Sequence, residues 1–425
     1  MKVGIYTLGC KVNNYESEYV ISLLENHGYE ISDFNDVCDI YIINTCTVTN
    51  TSDIKSRKII RQARRKNKNA CIIAMGCFIQ ANKENIIDEI DIAIGNRDKT
   101  KMLDLIDEYF KNQKKIVDYK DDFDNNFEDM FIENYKSKTR AFVKIQDGCE
   151  NFCTYCIIPF VRGKCRSKEF NKVIEEVSTL TKNGFKEIVL TGIHTGNYGV
   201  DINTNFESLL KELVKIEGLK RLRISSIEIN ELTDGVLDVI KNNDIIVNHL
   251  HIPLQAASDH VLKLMNRKYD LKTYEERISY IKSIKKDISI TTDIIVGFPE
   301  ETDEDFNSGL DAIKRIGFTK IHVFPYSKRE NTKASKMVQV NDLIKKDRAR
   351  RLLSLSKELE LEYYKRFINK KMEVLIEKKG EDYSTGHTTN YLNVKILNTK
   401  HNSEDLVNVI IKDIEYPYLI GEEYE

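Results

Sequence analysis

Three cysteines lie close together in the segment GCENFCTYC, residues 148–156. Cys149, Cys153 and Cys156 have the spacing C-x3-C-x2-C. An iron–sulfur cluster normally takes four thiolates, and a structural zinc ion also takes four ligands. Three cysteines on one loop can instead hold one face of a 4Fe–4S cluster and leave the fourth iron open to another molecule. The spacing therefore predicts a cluster with one reactive position.

A zinc site is the alternative for this segment, and it requires a fourth ligand. Cys165 in RGKCRSK is the nearest further thiol, and His194 is the nearest histidine. A ferredoxin-like electron carrier normally has a fourth cysteine and the spacing C-x2-C-x2-C. The residues alone leave these alternatives open.

A second set of cysteines is spread over the first hundred residues. Cys10, Cys46 and Cys77 each follow a strand-like run, in YTLGC, IINTC and AMGC. The carboxyl ends of parallel strands share one edge of a sheet, where open α/β sheets bind ligands. We therefore predict that these thiols converge, although each of them alone also suits a small buried core residue. Cys38 and Cys71, at the starts of strand runs, are predicted core residues.

The elements that must position both trios divide the chain into three domains. Residues 1–117 alternate strands with helices, which predicts a doubly wound parallel α/β domain. Residues 118–135 carry seven acids and one lysine and are predicted to form an acidic linker. Residues 136–368 hold six strand–helix units, which predict a partial or full β/α barrel with a long trailing helix at 341–368. Residues 369–425 show short alternating strands, which predict a small all-β barrel.

The composition of the chain indicates its broad class of protein. The chain has 425 residues, 41% of them hydrophobic and 31% charged, with a net charge of −2. No apolar run is long enough to span a membrane, and the N-terminus lacks a signal-peptide pattern, so we expect a cytoplasmic protein. Nine cysteines are too few for a disulfide scaffold of this length, which favours metal binding or catalysis.

Positive charge is concentrated in the predicted helix DIKSRKIIRQARRKNK, residues 53–68. Such a helix is often only a solvated face, but this one follows the strand that ends at Cys46. We therefore predict that Arg61, Arg64 and Arg65 contact RNA. Arg162, in the loop after the first cysteine trio, is a further predicted phosphate contact, although a solvated loop also explains it.

The wider string DGCENFCTYCIIPFVRG resembles the methylthiotransferase branch of the radical S-adenosylmethionine (SAM) enzymes. The resemblance extends over the chain through TLGCKVNNYESE, LTGIHTGNYG, HIPLQAASDHVLKLMNRKY, DIIVGFPEETDEDF and GHTTNYLNVKI. The strings LGCKVNNYESE and RISSIE most resemble the type that acts on N6-threonylcarbamoyladenosine at position 37 of tRNA. The last domain resembles a TRAM domain, an RNA-binding β-barrel.

The resemblance implies two 4Fe–4S clusters. Cys149, Cys153 and Cys156 match the ligands of the cluster that binds SAM, from which a 5′-deoxyadenosyl radical arises and removes hydrogen from carbon 2 of the adenine. The other trio matches the ligands of an auxiliary cluster, where sulfur methylated by a second SAM is delivered. Weaker matches imply contacts to SAM or substrate, with barrel packing as the alternative: Thr191, Gly192, Ser225, Glu228, Gln255 and Val296.

The implied partners are a tRNA anticodon loop and an electron donor such as flavodoxin or ferredoxin, and the expected protein is a monomer. The same chemistry on isopentenyladenosine in tRNA, or on an aspartate of a ribosomal protein, is the second hypothesis. A zinc-stabilised RNA-binding protein without catalysis is the third. Glu300 stands where the family usually has glycine, and we expect it to exclude a turn that requires glycine's freedom.

Overall fold

The computed structural model describes residues 1–83, 85–119, 126–135 and 139–424. The first domain alternates strands with helices, as predicted. Its elements are β1 (Lys2–Thr7), α1 (Lys11–Asn26), β2 (Glu30–Ser32), β3 (Ile40–Thr45), α2 (Asn50–Lys66), β4 (Cys71–Gly76), α3 (Cys77–Ala81), β5 (Ile92–Ile94), α4 (Met102–Asn112) and β6 (Ile116–Asp118).

These strands form one parallel sheet in the order β2-β1-β3-β4-β5-β6. Every residue of the central strands β3 and β4 is buried, because helices cover both faces of a parallel sheet. The predicted doubly wound α/β fold is confirmed. The sequence pattern did not predict the edge strands β2 and β6, since three residues are too few to show a period.

The second domain holds the next set of alternating elements. They are β7 (Arg140–Lys144), β8 (Gln146–Asp147), α5 (Ile158–Arg162), β9 (Arg166–Ser167), α6 (Phe170–Lys182), β10 (Glu187–Thr191), α7 (Phe206–Leu213), β11 (Arg221–Ile224), α8 (Asp234–Asn242), β12 (His249–His251), α9 (Asp259–Leu264), α10 (Leu271–Ile284), β13 (Ser289–Val296), α11 (Asp303–Ile316), β14 (Lys320–Pro325) and α12 (Asp342–Lys365).

Six of these strands form the wall of a partial β/α barrel. The parallel sheets β7-β10-β11 and β12-β13-β14 are joined by isolated bridges between Leu222 and Ile246 and between Ser226 and His251. Within the described residues β14 does not pair with β7, so the barrel is open on that side. The predicted barrel class is confirmed in its partial form.

Part of the predicted acidic linker belongs to the barrel. Met130, Ile132 and Tyr135 are buried in the barrel core, and Lys168 donates a hydrogen bond to the carbonyl of Met130. Residues 120–125 of the predicted linker lie outside the described residues. The described end of the segment therefore packs on the barrel and is not a free spacer, because its few apolar side chains outweigh its acidic composition.

The third domain is a closed barrel in the order β15-β16-β17-β19-β18. Its strands are β15 (Lys371–Lys378), β16 (Tyr383–Thr388), β17 (Asn393–Leu397), β18 (Leu406–Glu415) and β19 (Tyr418–Glu423). The predicted small all-β barrel is confirmed and is consistent with a TRAM domain.

Ion pairs connect this small barrel to the strand beginnings of the β/α barrel. Arg221 at the start of β11 pairs with Glu373 at 2.9 Å, and Arg140 at the start of β7 pairs with Glu377 at 2.8 Å. Tyr391 projects from the small barrel and packs over the guanidinium of Arg223, 4.5 Å from the ring centre. The third domain therefore closes the lower end of the β/α barrel.

Candidate active site

The first cysteine trio lies on a tightly turned loop after β8. Gly148 has φ +79°, and a Cβ there would lie 1.9 Å from the carbonyl oxygen of Lys164, so only glycine fits. The loop is tied down by hydrogen bonds from the Cys149 amide to Gly163 O and from the Cys156 amide to Cys153 O, both 3.0 Å. All three thiols are half-buried. The chain therefore presents them from one fixed loop at the carboxyl end of the first barrel strands.

Burial and neighbouring charges act on two thiols of this trio. Burial raises the pKa of the Cys153 thiol, and the nearby guanidinium of Arg267, which donates to its Sγ at 3.4 Å, acts in the opposite direction. Burial raises the pKa of Cys156 to about 12, and the charges of Cys153 and Cys149 add to this effect. A cationic centre bound by the three sulfurs would stabilise their thiolate forms.

A single zinc ion fits neither trio. With Zn–S bonds of about 2.3 Å, tetrahedral sulfur ligands lie about 3.8 Å apart. Among the described residues, the one group of three or more ligand side chains whose atoms all lie within 4.8 Å of one another is His251, Asp293 and His322. His194 Nδ1 lies 3.9 Å from Cys149 Sγ, but its Nε2 pairs with Glu231. The donor sets are thiol-only and more widely spaced, which suits a cluster of several irons.

The second cysteine trio gathers at the carboxyl edge of the first sheet. Gly9 has φ +105°, and a Cβ there would lie 3.1 Å from Cys46 Cβ, so the loops after β1 and β3 touch. Cys10 Sγ donates to Asn13 Oδ1 at 3.6 Å, and Arg162 donates both to this oxygen at 2.9 Å and to Cys77 Sγ at 3.3 Å, which places Cys77 near Cys10. The structure thus brings the three predicted cysteines together. Cys38 and Cys71 are 1% exposed and lie in the core, as expected.

Arg162 was predicted to contact RNA phosphate, and the structure contradicts this. The side chain is fully buried, and its Nη1 donates to Glu16 Oε1 and Asp147 Oδ1, both at 3.0 Å. Its Nε donates to Cys77 Sγ at 3.3 Å. Burial would raise the pKa values of Glu16 and Asp147, but the charges of Arg162 and Lys144 hold them well below their usual range.

This buried ion pair joins the two cysteine trios. Glu16 lies on α1, just after Cys10, and Asp147 precedes the loop of the first trio. Arg162 ends α5, shortly after Cys156, and contacts Cys77 directly. One guanidinium therefore fixes the first domain against the β/α barrel at the point where the two sites approach each other.

We expect Arg162→Ala to lower the free energy of unfolding by about 3–5 kcal/mol, because Glu16 and Asp147 stay buried and Lys144 then has to compensate both carboxylates. Arg162→Lys keeps the charge but loses the forked hydrogen bonds, so its loss should be smaller. Urea unfolding of the two variants beside Arg315→Ala, whose side chain is 60% exposed, measures the difference. Equal midpoints for Arg162→Ala and Arg315→Ala would contradict this role.

A cavity of about 650 Å³ occupies the interior of the β/α barrel. Cys10 and Lys11 from the first domain line it, as do Thr191, Gly192 and Ser225 at the strand ends of the barrel. Side chains of the small barrel close its lower end: His387, Tyr391, Leu392 and Asn393. All three domains therefore contribute to one cavity that includes a ligand of the predicted auxiliary cluster.

The other residues predicted to contact SAM are placed differently. Glu228 lines a second cavity of about 250 Å³ together with Cys153, and it pairs with Arg267. Gln255 has φ +68° and bonds through its backbone to β13, while Val296 is 1% exposed in the barrel core. Neither of these two residues lines the two cavities that contain cluster cysteines.

Sequence reasoning missed Arg267, Lys11 and Tyr391. Arg267 is the link between Cys153 and Glu228, and nothing in its local pattern distinguishes it from a surface arginine. Lys11 could have been noticed because it directly follows Cys10. The expectation for Glu300 was wrong, because this residue itself has φ +66° and donates its amide to Val338 O at 3.1 Å. The turn therefore forms with glutamate in place of glycine.

The basic helix α2 presents only some of its arginines to solvent. Arg61 and Arg65 are exposed. Arg64 was also predicted to bind RNA, but its guanidinium donates to Lys68 O, Ala70 O and Asp91 within the domain. Its role is structural, because its hydrogen-bond donors are already used.

The described helices include none that is long and apolar enough to cross a membrane.

Two family models match the chain, and together they include both cysteine trios. Residues 143–313 match the Radical SAM superfamily, and residues 2–95 match the Uncharacterized protein family UPF0004. In fold, the chain is similar to the radical S-adenosylmethionine methyltransferase TsrM from Kitasatospora setae, with a TM-score of 0.59 and 13% identity. That likeness covers 79% of this chain and 77% of TsrM, and it shows the fold alone.

Two curated relatives are similar over nearly their whole length. Threonylcarbamoyladenosine tRNA methylthiotransferase MtaB of Bacillus subtilis (strain 168) is 43% identical, covering 99% of this chain and 96% of the relative. The tRNA-2-methylthio-N(6)-dimethylallyladenosine synthase of Acetivibrio thermocellus is 35% identical, covering 96% and 88%. This identity, the superfamily match and the two cysteine trios show that the chain belongs to the radical SAM methylthiotransferase family.

Proposed function

We propose that the protein is a tRNA methylthiotransferase that converts N6-threonylcarbamoyladenosine at position 37 to its 2-methylthio derivative. The observation that supports this most directly is the shared cavity in the β/α barrel. It includes Cys10 of one trio and the strand ends Thr191 and Ser225, beside which the other trio lies. A base in this cavity would be within reach of both sites. Radical SAM membership supplies a 4Fe–4S cluster and SAM, and the second cluster is part of the proposal.

The two clusters and SAM, when bound, supply a carbon-centred radical and a methylated sulfur for transfer. The protein's own residues position these groups. Cys149, Cys153 and Cys156 would hold the first cluster, and Arg267 would donate to the Cys153 sulfur, which tunes the electron density on that ligand. Cys10, Cys46 and Cys77 would hold the second, with Arg162 donating to the Cys77 sulfur.

To enter this cavity, the base must first leave the stacked bases of the anticodon loop. Single-stranded loop bases are turned out and bound on side chains, with their backbone held by positive charge. The exposed residues of α2 and the small C-terminal barrel are the proposed RNA-binding surfaces. We also propose that the protein acts as a monomer in the reducing cytoplasm. Its electrons would come from a donor such as flavodoxin or ferredoxin.

Nucleoside mass spectrometry of tRNA from cells with and without this gene tests the substrate. We expect 2-methylthio-N6-threonylcarbamoyladenosine to disappear from tRNA when the gene is deleted and to return with a plasmid copy. Loss of the methylthio derivative of isopentenyladenosine instead, or of a methylthiolated ribosomal aspartate, would assign the enzyme to the second hypothesis.

Anoxic purification separates both enzymatic hypotheses from a non-catalytic zinc protein. We expect brown protein with about eight irons per chain, as two 4Fe–4S clusters require. Colourless protein that contains zinc would exclude the enzymatic assignment.

Replacing Arg61 and Arg65 together with glutamine should weaken tRNA binding and reduce its salt dependence. Each lost phosphate contact lowers the slope of log K against log salt concentration by roughly 0.7–0.9, because fewer counterions are released. Binding isotherms at several salt concentrations measure the slope. Arg315→Gln, the same type of substitution at an exposed position of α11, is the control. An unchanged slope in the double variant would show that this face of α2 is only solvated.

A further inference from the structure

The interior of the β/α barrel contains a cation without a partner. Lys11 lines the 650 Å³ cavity and is exposed to it. Among the described residues none accepts a hydrogen bond from its ammonium group or forms an ion pair with it. The other lysine of the cavity wall, Lys320, differs in this respect because it pairs with Glu360 at 3.1 Å. Lys11 is therefore free to bind an anion that enters the cavity.

Arg223 lies behind the cavity wall, where its guanidinium packs on the ring of the lining residue Tyr391. Its side chain is 2% exposed, and its Nε donates to Glu187 Oε1 at 2.6 Å. Its Nη1 and Nη2 are buried and have no hydrogen-bond partner among the described residues, and the same is true of Nδ1 of His249. Burying a hydrogen-bond donor without a partner costs free energy and is rare in native proteins. These donors therefore indicate a ligand that accepts hydrogen bonds from them.

Tyr391 connects these groups, because its ring centre lies 4.9 Å from that of His249 and 4.5 Å from the guanidinium of Arg223, and Lys11 lines the same cavity as Tyr391 and His249. The pKa of His249 lies well below its usual value, first because the ring is buried and then because the charges of Arg223, His251 and Lys11 disfavour its protonation. Glu187, the acid bonded to Arg223, also lies near Arg140 and Arg221. Arg140 and Arg221 are also paired with Glu377 and Glu373, so the three arginines face three carboxylates and the ammonium group of Lys11 adds a further positive charge at the cavity wall.

Most of the residues that line the rest of the cavity carry a polar side chain. A prenyl substituent on the base would leave these side chains without partners, whereas a threonylcarbamoyl substituent has a carboxylate, a hydroxyl and a urea group that bond to them. A phosphate of the RNA backbone would have to enter the barrel interior to reach Arg223, and SAM's own carboxylate is expected at the first cysteine trio. The polar wall residues include Ser225, Ser226, Ser289, Thr291, Thr319 and Asn393.

We propose that Lys11, with Arg223 and His249 beside it, binds the carboxylate of the threonylcarbamoyl group and so selects this base over unmodified and isopentenylated adenosine. The inference rests on the proposed function and adds to it the residues that recognise the substituent. Lys11 is a specificity-determining residue in this account, and it acts on the substituent at N6 and not on carbon 2.

The test compares three anticodon stem–loop RNAs that differ only at position 37: threonylcarbamoyladenosine, unmodified adenosine and isopentenyladenosine. Binding isotherms are measured with the reconstituted enzyme and with Lys11→Gln, Lys11→Arg and Lys272→Gln. Lys272 is the matched control, since its side chain is 85% exposed on α10. Iron content and the visible spectrum show whether the cluster beside Lys11 is intact in each variant.

We expect Lys11→Gln to bind the threonylcarbamoyl RNA about tenfold more weakly or worse, because a charged hydrogen bond is lost, and to bind the other two RNAs as the parent does. Lys11→Arg and Lys272→Gln should keep the parent's preference. A preference that persists in Lys11→Gln, or an equal loss on all three RNAs, would overturn the inference.

The two proposals fail in different ways. If the parent enzyme methylthiolates the threonylcarbamoyl RNA while Lys11→Gln keeps its preference, only the role of Lys11 is refuted. If the parent prefers and modifies the isopentenyl RNA, the proposed function itself is wrong.

Discussion

Replacing Cys153 with alanine is expected to abolish both SAM cleavage and the methylthiolated product. The substitution removes one of three thiolates from the loop at 148–156, and no other described thiol of that loop can replace it. The second trio lies in another domain and is untouched. Iron should therefore fall by about half, from about eight to about four per chain. The measurements are an anaerobic 5′-deoxyadenosine assay, product analysis and iron determination.

Cys165→Ala is the matched control for this result. Cys165 lies near the same loop, where its Sγ contacts Gly148 O at 3.8 Å and accepts from Asn197 Nδ2 at 3.7 Å. We expect this variant to retain its iron and its SAM cleavage. Full SAM cleavage by Cys153→Ala, or a loss of iron in Cys165→Ala as large as in Cys153→Ala, would refute the assignment of the trio.

Cys46→Ala should separate SAM cleavage from formation of the methylthio product. The side chain is 7% exposed at the end of β3, beside the loop that carries Cys10. Its loss should remove the auxiliary cluster, again about half the iron. SAM should still be cleaved to 5′-deoxyadenosine, because the barrel holds its own cysteines, but no methylthio product should form.

Cys71→Ala is the control in the same sheet. Cys71 begins β4 and is buried at the opposite edge, where its thiol packs with the domain core. Removing its sulfur should lower stability by about 1 kcal/mol and leave iron and product formation unchanged. Normal product formation by Cys46→Ala would show that Cys46 is a core residue and not a cluster ligand.

The local pattern of the chain predicted the architecture well. Strand–helix alternation requires parallel strands, and parallel strands place their carboxyl ends on one edge. For this reason Cys10, Cys46 and Cys77 could be assigned to one place although 36 and 31 residues separate them. The trio at 149–156 could be recognised from the spacing of its own cysteines. The period of two in the last domain was enough to predict a small barrel.

Side-chain environments were decided by partners distant in the sequence, and there the pattern failed. Arg162 and Arg64 looked like RNA contacts because arginine in a loop or on a basic helix is usually solvated. Arg162 is instead buried against Glu16, 146 residues away, and Arg64 is bonded to Asp91, 27 residues away. A buried charge is stable only when its partners are brought to it, and no local pattern encodes which partners will arrive.

The sequence by itself therefore predicted which cysteines come together and the order of the domains, because both depend on residue type, spacing and hydrophobic period, which are properties of short segments. The class of chemistry was predicted from the family resemblance of its motifs. Only the tertiary structure decided that Lys11 of the first domain, His249 of the β/α barrel and Tyr391 of the small barrel meet around one cavity. Packing three domains against each other creates that cavity, so its charge and its polarity belong to no single segment of the chain.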